Sequence, residues 1–148
     1  MLLSVSLFAQ TKANFAGTWV FNESKSTQAQ GGFRMAAEKL VVTQDATSIS
    51  VVNTRQFNGQ TREQNLKYAL DGKESENPGF GNNTTSKSTV AWSADGKIMT
   101  IKTTSEGGGQ QFTTTQTWQL TAEGQLSVEN AFSVPQGEMK TTAVYDKK

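Results

Sequence analysis

The segment SISVVNTRQFNGQTREQNLKYAL, residues 48–70, decides the fold. Asn58-Gly59 sits between two alternating runs, and both residues tolerate the positive φ that a tight two-residue hairpin demands. That turn sets a register. Phe57 stands opposite Gln60, Arg55 opposite Arg62, Asn53 opposite Gln64, Val51 opposite Leu66 and Ile49 opposite Tyr68. The other face carries Thr54 with Glu63 and Ser50 with Lys67. A one-residue slip would exchange the faces. On this register the apolar pairs collect at one end of one face, and polar or charged pairs lie toward the turn.

Outward from this hairpin the chain reads as strand, turn, strand in both directions. Period-2 alternation places strands at Thr18–Asn22, Lys39–Gln44, Ser48–Phe57, Thr61–Leu70, Lys73–Asn77, Thr84–Trp92, Lys97–Ser105, Gln111–Leu120, Gln125–Ser133 and Met139–Asp146. The best helix candidate is a turn or two within Glu23–Lys39, around Arg34–Glu38. Pro78 and Pro135 both fall in loops.

Further turns extend the register. Ser93-Ala94-Asp95-Gly96 resembles Thr121-Ala122-Glu123-Gly124, and both read as short hairpin loops with a left-handed glycine. The Ala122–Gly124 loop sets Leu120 opposite Leu126, Trp118 opposite Val128 and Gln116 opposite Asn130. The Val134–Gly137 loop sets Asn130 opposite Thr141, Val128 opposite Ala143 and Leu126 opposite Tyr145. These turns agree with the first on one inward set. For Lys97–Ser105 two registers stay open: Ile98 and Lys102 inward, or Met99 and Ile101 inward. An outward Met99 and Ile101 would make an apolar strip suited to a homodimer.

Because strand direction alternates, the turns sort by end. Short turns at Asp45–Thr47, Asp71-Gly72, Ala94–Gly96 and Ala122–Gly124 share one end; longer, glycine-rich loops crowd the other. Near the short turns the inward residues include Trp19, Ile49, Leu66, Tyr68, Leu70, Val90, Trp92, Trp118, Leu120, Leu126, Val128 and Tyr145. Toward the loops they become Asn53, Arg55, Arg62, Gln64, Ser86, Ser88, Thr114, Gln116, Asn130 and Thr141, with Phe57, Phe112 and Phe132. A solid sandwich core would be apolar along its whole length. The gradient predicts an all-β fold, an up-and-down antiparallel β-barrel of about eight to ten strands, plugged at one end and wet at the other. It would close with Thr18–Asn22 beside Met139–Asp146.

Composition fits this and narrows the chemistry. The 148 residues include neither cysteine nor histidine, which excludes disulfides, thiol nucleophiles and imidazole-dependent triads. Lys+Arg 14 against Asp+Glu 13 leaves a net charge of +1, so no global field favours nucleic acid. Only 34% of the residues are hydrophobic. No inward carboxylate pair emerges for acid–base work. No cofactor, metal site or catalytic residue is therefore expected.

Residues 1–9, MLLSVSLFA, read as a signal-peptide remnant, although no basic residue precedes the apolar run. Residues 10–16 then form an N-terminal extension and 17–148 one barrel domain. Nothing else approaches the roughly 18 apolar residues of a membrane-spanning helix, so the chain is not expected to span a membrane. An exported chain without cysteine fits a bacterial periplasm or a secreted protein.

Gly17-Thr18-Trp19 at the start of the first strand resembles the G-x-W signature of lipocalins and the wider calycin group. Phe15 to Trp19 with Asn22 and Lys25-Ser26, and the terminal Val144-Tyr145-Asp146-Lys147, resemble bacterial secreted lipocalin-like domains. The resemblance implies a barrel holding a small ligand in its lumen. It also implies a late basic residue packed over the motif tryptophan, and here Lys147 or Lys148 is in place for that. A central Thr-Asp-Tyr motif has no counterpart.

The candidate ligand-binding residues follow from the polar end of the inward face. Arg55 and Arg62, directly opposed like charges, would either hold a carboxylate or phosphate or form a hydrated rim with Glu74, Glu76 or Glu106 nearby. Asn53, Gln64, Ser88, Gln116, Asn130 and Thr141 would orient a polar ligand or ordered water. Phe57, Phe112 and Phe132, toward the open mouth, would gate it or pack its loops against one another. The three tryptophans read as a core plug. The expected function is binding of a small amphipathic or anionic molecule; the alternative is a structural or protein-interaction module of an exported assembly.

Overall fold

A computed structural model describes residues 12–27, 36–57, 59–79, 84–107, 110–134 and 137–148. The segment read as a signal-peptide remnant lies outside the described residues, as do Arg34 and Met35 of the expected helix; residues 36–38 are not helical. Among the described residues the helical turn is a 3-10 turn, Glu23–Lys25, capped where the Asn22 side-chain oxygen accepts the Lys25 N–H at 3.2 Å.

The strands are β1 (Gly17–Asn22), β2 (Lys39–Gln44), β3 (Ser48–Phe57), β4 (Gln60–Ala69), β5 (Ser75–Pro78), β6 (Thr85–Trp92), β7 (Met99–Gly107), β8 (Gln110–Leu120), β9 (Leu126–Val134) and β10 (Gly137–Lys147). They form one antiparallel sheet of 10 strands in the order β4-β3-β2-β1-β10-β9-β8-β7-β6-β5. This is an all-β, lipocalin-like up-and-down barrel, with β1 against β10 as the turns imply. The registers set by Asn58-Gly59, by Ala122–Gly124 and by Val134–Gly137 are all observed. Pro78, expected in a loop, ends β5 instead, an edge position that proline tolerates.

β7 takes the second of its two open registers. Met99 and Ile101 are buried while Lys102 is exposed and Ile98 is only half-buried. The two similar turns explain it. Thr121 N–H closes on the Gln125 carbonyl, but Ser93 N–H closes on the Ile98 carbonyl, one residue further along. Trp92 therefore pairs with Met99, and the extra residue turns β7 over. Burial of Met99 and Ile101 also removes the apolar strip on which a homodimer was argued. Leu120, expected inside, is 42% exposed, because it ends β8 at the lip of the barrel.

The plug is built around a residue from before the first strand. Phe15 is fully buried, stacks on Trp92 at 6.1 Å and meets Trp118 edge-on at 5.8 Å. Its carbonyl accepts the Trp19 Nε1–H at 2.9 Å. Gln44 holds the segment in place, accepting the Phe15 N–H and donating to the Ala13 carbonyl, both at 2.9 Å. The G-x-W motif also has a physical account. Gly17 has φ +145, and a Cβ there would stand 3.1 Å from Lys147 Cε. Lys147, the partner of Trp19 across the ladder, lays its ammonium 5.7 Å from the indole centroid.

The barrel has a seam. β4 and β5, expected to join as a hairpin at Asp71-Gly72, share no ladder and stand at the two ends of the sheet. Side chains bridge them instead. Lys67 N–H donates to Asn77 Oδ1 at 2.9 Å, Asn77 Nδ2 donates to the Lys67 carbonyl at 3.0 Å, and Ala69 N–H donates to Ser75 Oγ at 2.8 Å. Edge backbone groups are thus paired without a strand-to-strand ladder.

Candidate ligand-binding site

Above the plug the lumen opens into a cavity of about 220 Å³. Leu40, Val51, Leu66, Tyr68, Trp118, Val128 and Tyr145 give it an apolar and aromatic wall. Asn53, Arg55, Gln64, Gln116, Asn130 and Thr141 line it with polar groups. Phe132 and Met139 also border it, and Pro78 and Gly79 border it beside the seam. Alternation explains the assembly. Val51, Asn53 and Arg55 are successive inward residues of β3; Gln64, Leu66 and Tyr68 are those of β4.

Arg55 is half-buried on this wall, and burial pushes its guanidinium below its ordinary value, with Tyr145 acting weakly the other way. The guanidinium stays charged at neutral pH regardless. No carboxylate is found among the described residues lining the cavity. Glu74 instead meets Lys87 on the surface at 3.7 Å.

Most of the residues singled out from the sequence meet here: Asn53, Arg55, Gln64, Gln116, Asn130, Thr141 and Phe132. Four do not. Arg62 stands opposite Arg55 as the turn requires, yet it is exposed and off the cavity wall. The reason is the seam: Gln60–Glu63 of β4 extend past the end of β5 and are exposed throughout. Ser88 is buried in the wall, its hydroxyl within 2.7 Å of Thr103 Oγ1. Phe112 stacks on Phe132 at 6.3 Å and an interplanar angle of 17°. The side chain of Phe57 lies outside the described residues.

The sequence reading missed part of the wall. Trp118, expected in the plug, and Tyr68 and Tyr145, expected inward near the short turns but not at the site, all face the cavity. Trp118 does both, meeting Phe15 beneath and donating from Nε1 to Gln116 Oε1 at 3.1 Å, which orients that amide. Tyr145 donates to the Ala37 carbonyl at 3.1 Å and so ties the segment before β2 to the cavity. The signal was present in the inward alternation; what it lacked was how deep the plug reaches.

Among the described residues no cluster of three or more acidic side chains could hold a metal ion, and no helix is long and apolar enough to cross a membrane. No family model matches the chain, and no curated protein matches it in sequence. Solved structures do match it in fold. The zebrafish ileal bile acid-binding protein, in complex with cholic acid, is 16% identical; the match covers 90% of this chain and 98% of that one, with a TM-score of 0.60. A secretory abundant heat soluble protein from Ramazzottius varieornatus is 10% identical over 94% of this chain and 98% of that one, with a TM-score of 0.62. At such identities the likeness defines the class of fold, a small lipocalin-like barrel.

Proposed function

We propose that this chain binds, without transforming, a small amphipathic anion in the lumen of its barrel. The observation that carries this is Arg55, a partly desolvated guanidinium on the wall of a cavity otherwise lined by apolar and neutral polar groups. A carboxylate or phosphate at this wall would meet the guanidinium through charge-assisted, bidentate hydrogen bonds. Asn53, Gln64, Gln116, Asn130 and Thr141 supply neutral donors and acceptors around it, and Leu66, Val128 and Trp118 take the apolar part. Arg62, across the ladder, adds positive potential from the rim. Cholic acid, in the zebrafish protein of like fold, is itself an amphipathic carboxylic acid. Without a paired acid and base on the wall, binding is a better reading than catalysis. Export to a periplasm or the exterior is part of the same proposal and rests on residues 1–9.

The test is calorimetric titration of a panel of carboxylic acids into wild type, Arg55→Ala and Arg62→Ala. Arg55→Ala weakens binding by about tenfold or more, and Arg62→Ala by less and chiefly at low salt. Equal affinities across the three proteins overturn the anion reading.

A further inference from the structure

The cavity wall carries two tyrosines whose hydroxyls fare differently. Tyr145 donates to the Ala37 carbonyl at 3.1 Å. Tyr68, only 6% exposed and on the same wall, finds no hydrogen-bond partner for its hydroxyl among the described residues. Burial is the sole cause that pushes its phenol up, to about 12. The hydroxyl is nevertheless not sealed off: among the described residues the fully buried polar side-chain atom without a partner is Trp92 Nε1, so the Tyr68 hydroxyl keeps access to the space it borders. Its surroundings on the sheet supply no acceptor: Ile49 is its ladder partner, and Leu66 and Leu70 flank it on the same face. Its acceptor therefore comes from what fills the cavity, either water or a ligand oxygen.

Resting on the reading of Arg55 as the anion anchor, we infer that the ligand is polar at both ends, with an anionic group at Arg55 and a hydroxyl or carbonyl oxygen accepting from Tyr68. Arg55 lies opposite Arg62, and Tyr68 follows six residues along β4, so their backbone positions stand about 20 Å apart along the strand, before either long side chain reaches inward. Leu66, on β4 between them, gives the intervening wall an apolar character. The cavity, at about 220 Å³, falls below the roughly 300–1,000 Å³ of drug-sized sites, which suits a slim chain better than a fused-ring skeleton. An ω-hydroxy or ω-oxo alkanoate has this chemistry.

The experiment compares octanoate and decanoate with their ω-hydroxy analogues on wild type, Tyr68→Phe and Arg55→Met. Wild type prefers the ω-hydroxy acid at the better-fitting length by about five- to tenfold, the worth of one hydrogen bond to a buried donor. Tyr68→Phe loses that preference while still binding the plain acid, and Arg55→Met weakens both acids alike. A wild type that binds plain and ω-hydroxy acids equally, or a preference that survives Tyr68→Phe, overturns the two-ended ligand and leaves the Arg55 site standing. Binding of neither class overturns both. Since its hydroxyl has no partner among the described residues, Tyr68→Phe keeps the fold, which unchanged circular dichroism verifies.

Discussion

The side-chain amide of Asn77 on β5 hydrogen-bonds both backbone groups of Lys67 on β4, accepting at 2.9 Å and donating at 3.0 Å. One amide thus stands in for a stretch of missing ladder, and it is 7% exposed while doing so. Asn77→Ala removes both bonds and leaves the Lys67 N–H and carbonyl to find water. The expected loss is about 1–3 kcal/mol in urea denaturation. Faster hydrogen exchange at the Lys67 and Ala69 amides, with β8–β9 unchanged, would localise the effect to the seam. Uniformly faster exchange would show instead that the barrel opens as a whole.

Phe15 is the centre of the plug, although it precedes the first strand. Phe15→Ala removes a fully buried ring packed on Trp92 and Trp118, and is expected to destabilise the barrel by about 3–5 kcal/mol. Chemical denaturation monitored by tryptophan fluorescence measures it. A loss below about 1 kcal/mol would mean that the segment ahead of β1 is not part of the core.

Gly17 meets two constraints that can be separated. Its φ of +145 disfavours any side chain, and Lys147 Cε stands only 3.1 Å from where a Cβ would be. Gly17→Ala is expected to cost about 1–3 kcal/mol. Most of that cost persists in a Lys147→Ala background, because a lysine chain yields easily and backbone strain does not. Full rescue by Lys147→Ala would assign the glycine to close packing alone.

Tyr68 makes stability depend on alkaline pH. Its pKa rises from 10.0 to about 12 on folding because burial disfavours the phenolate. Folded protein therefore keeps its proton longer than unfolded protein. The stabilisation is complete below pH 10 and is lost as pH rises from 10 toward about 12. The difference between wild type and Tyr68→Phe across that window isolates this residue from other titrating groups. A slope identical in the two proteins would place the Tyr68 hydroxyl in contact with water.

Much of the barrel was legible in its turns. Asn58-Gly59 and Ala122–Gly124 are local chemistry, and each propagates a register along its strands with no tertiary information. The Ser93–Gly96 turn looked equivalent to Thr121–Gly124 and was not. Closure at Ile98 rather than one residue earlier changes which face β7 turns inward, and similar turn residues support both closures. The candidate site was legible to the same depth. Alternation brought Asn53, Arg55, Gln64, Gln116, Asn130 and Thr141 to one wall, while the boundary between plug and cavity was hidden, because Phe15 comes from outside the alternating pattern.

The sequence by itself determined the meander, most of its registers and the polar gradient along the inward face. These follow from period-2 geometry and turn type, which act over a few residues. Only the tertiary structure decided where the barrel is left unladdered, what fills its base and which arginine faces the lumen. Arg55 and Arg62 are equivalent on a two-strand ladder. They differ because β3 has β2 on its other side, whereas the Arg62 end of β4 runs past the end of β5 into solvent.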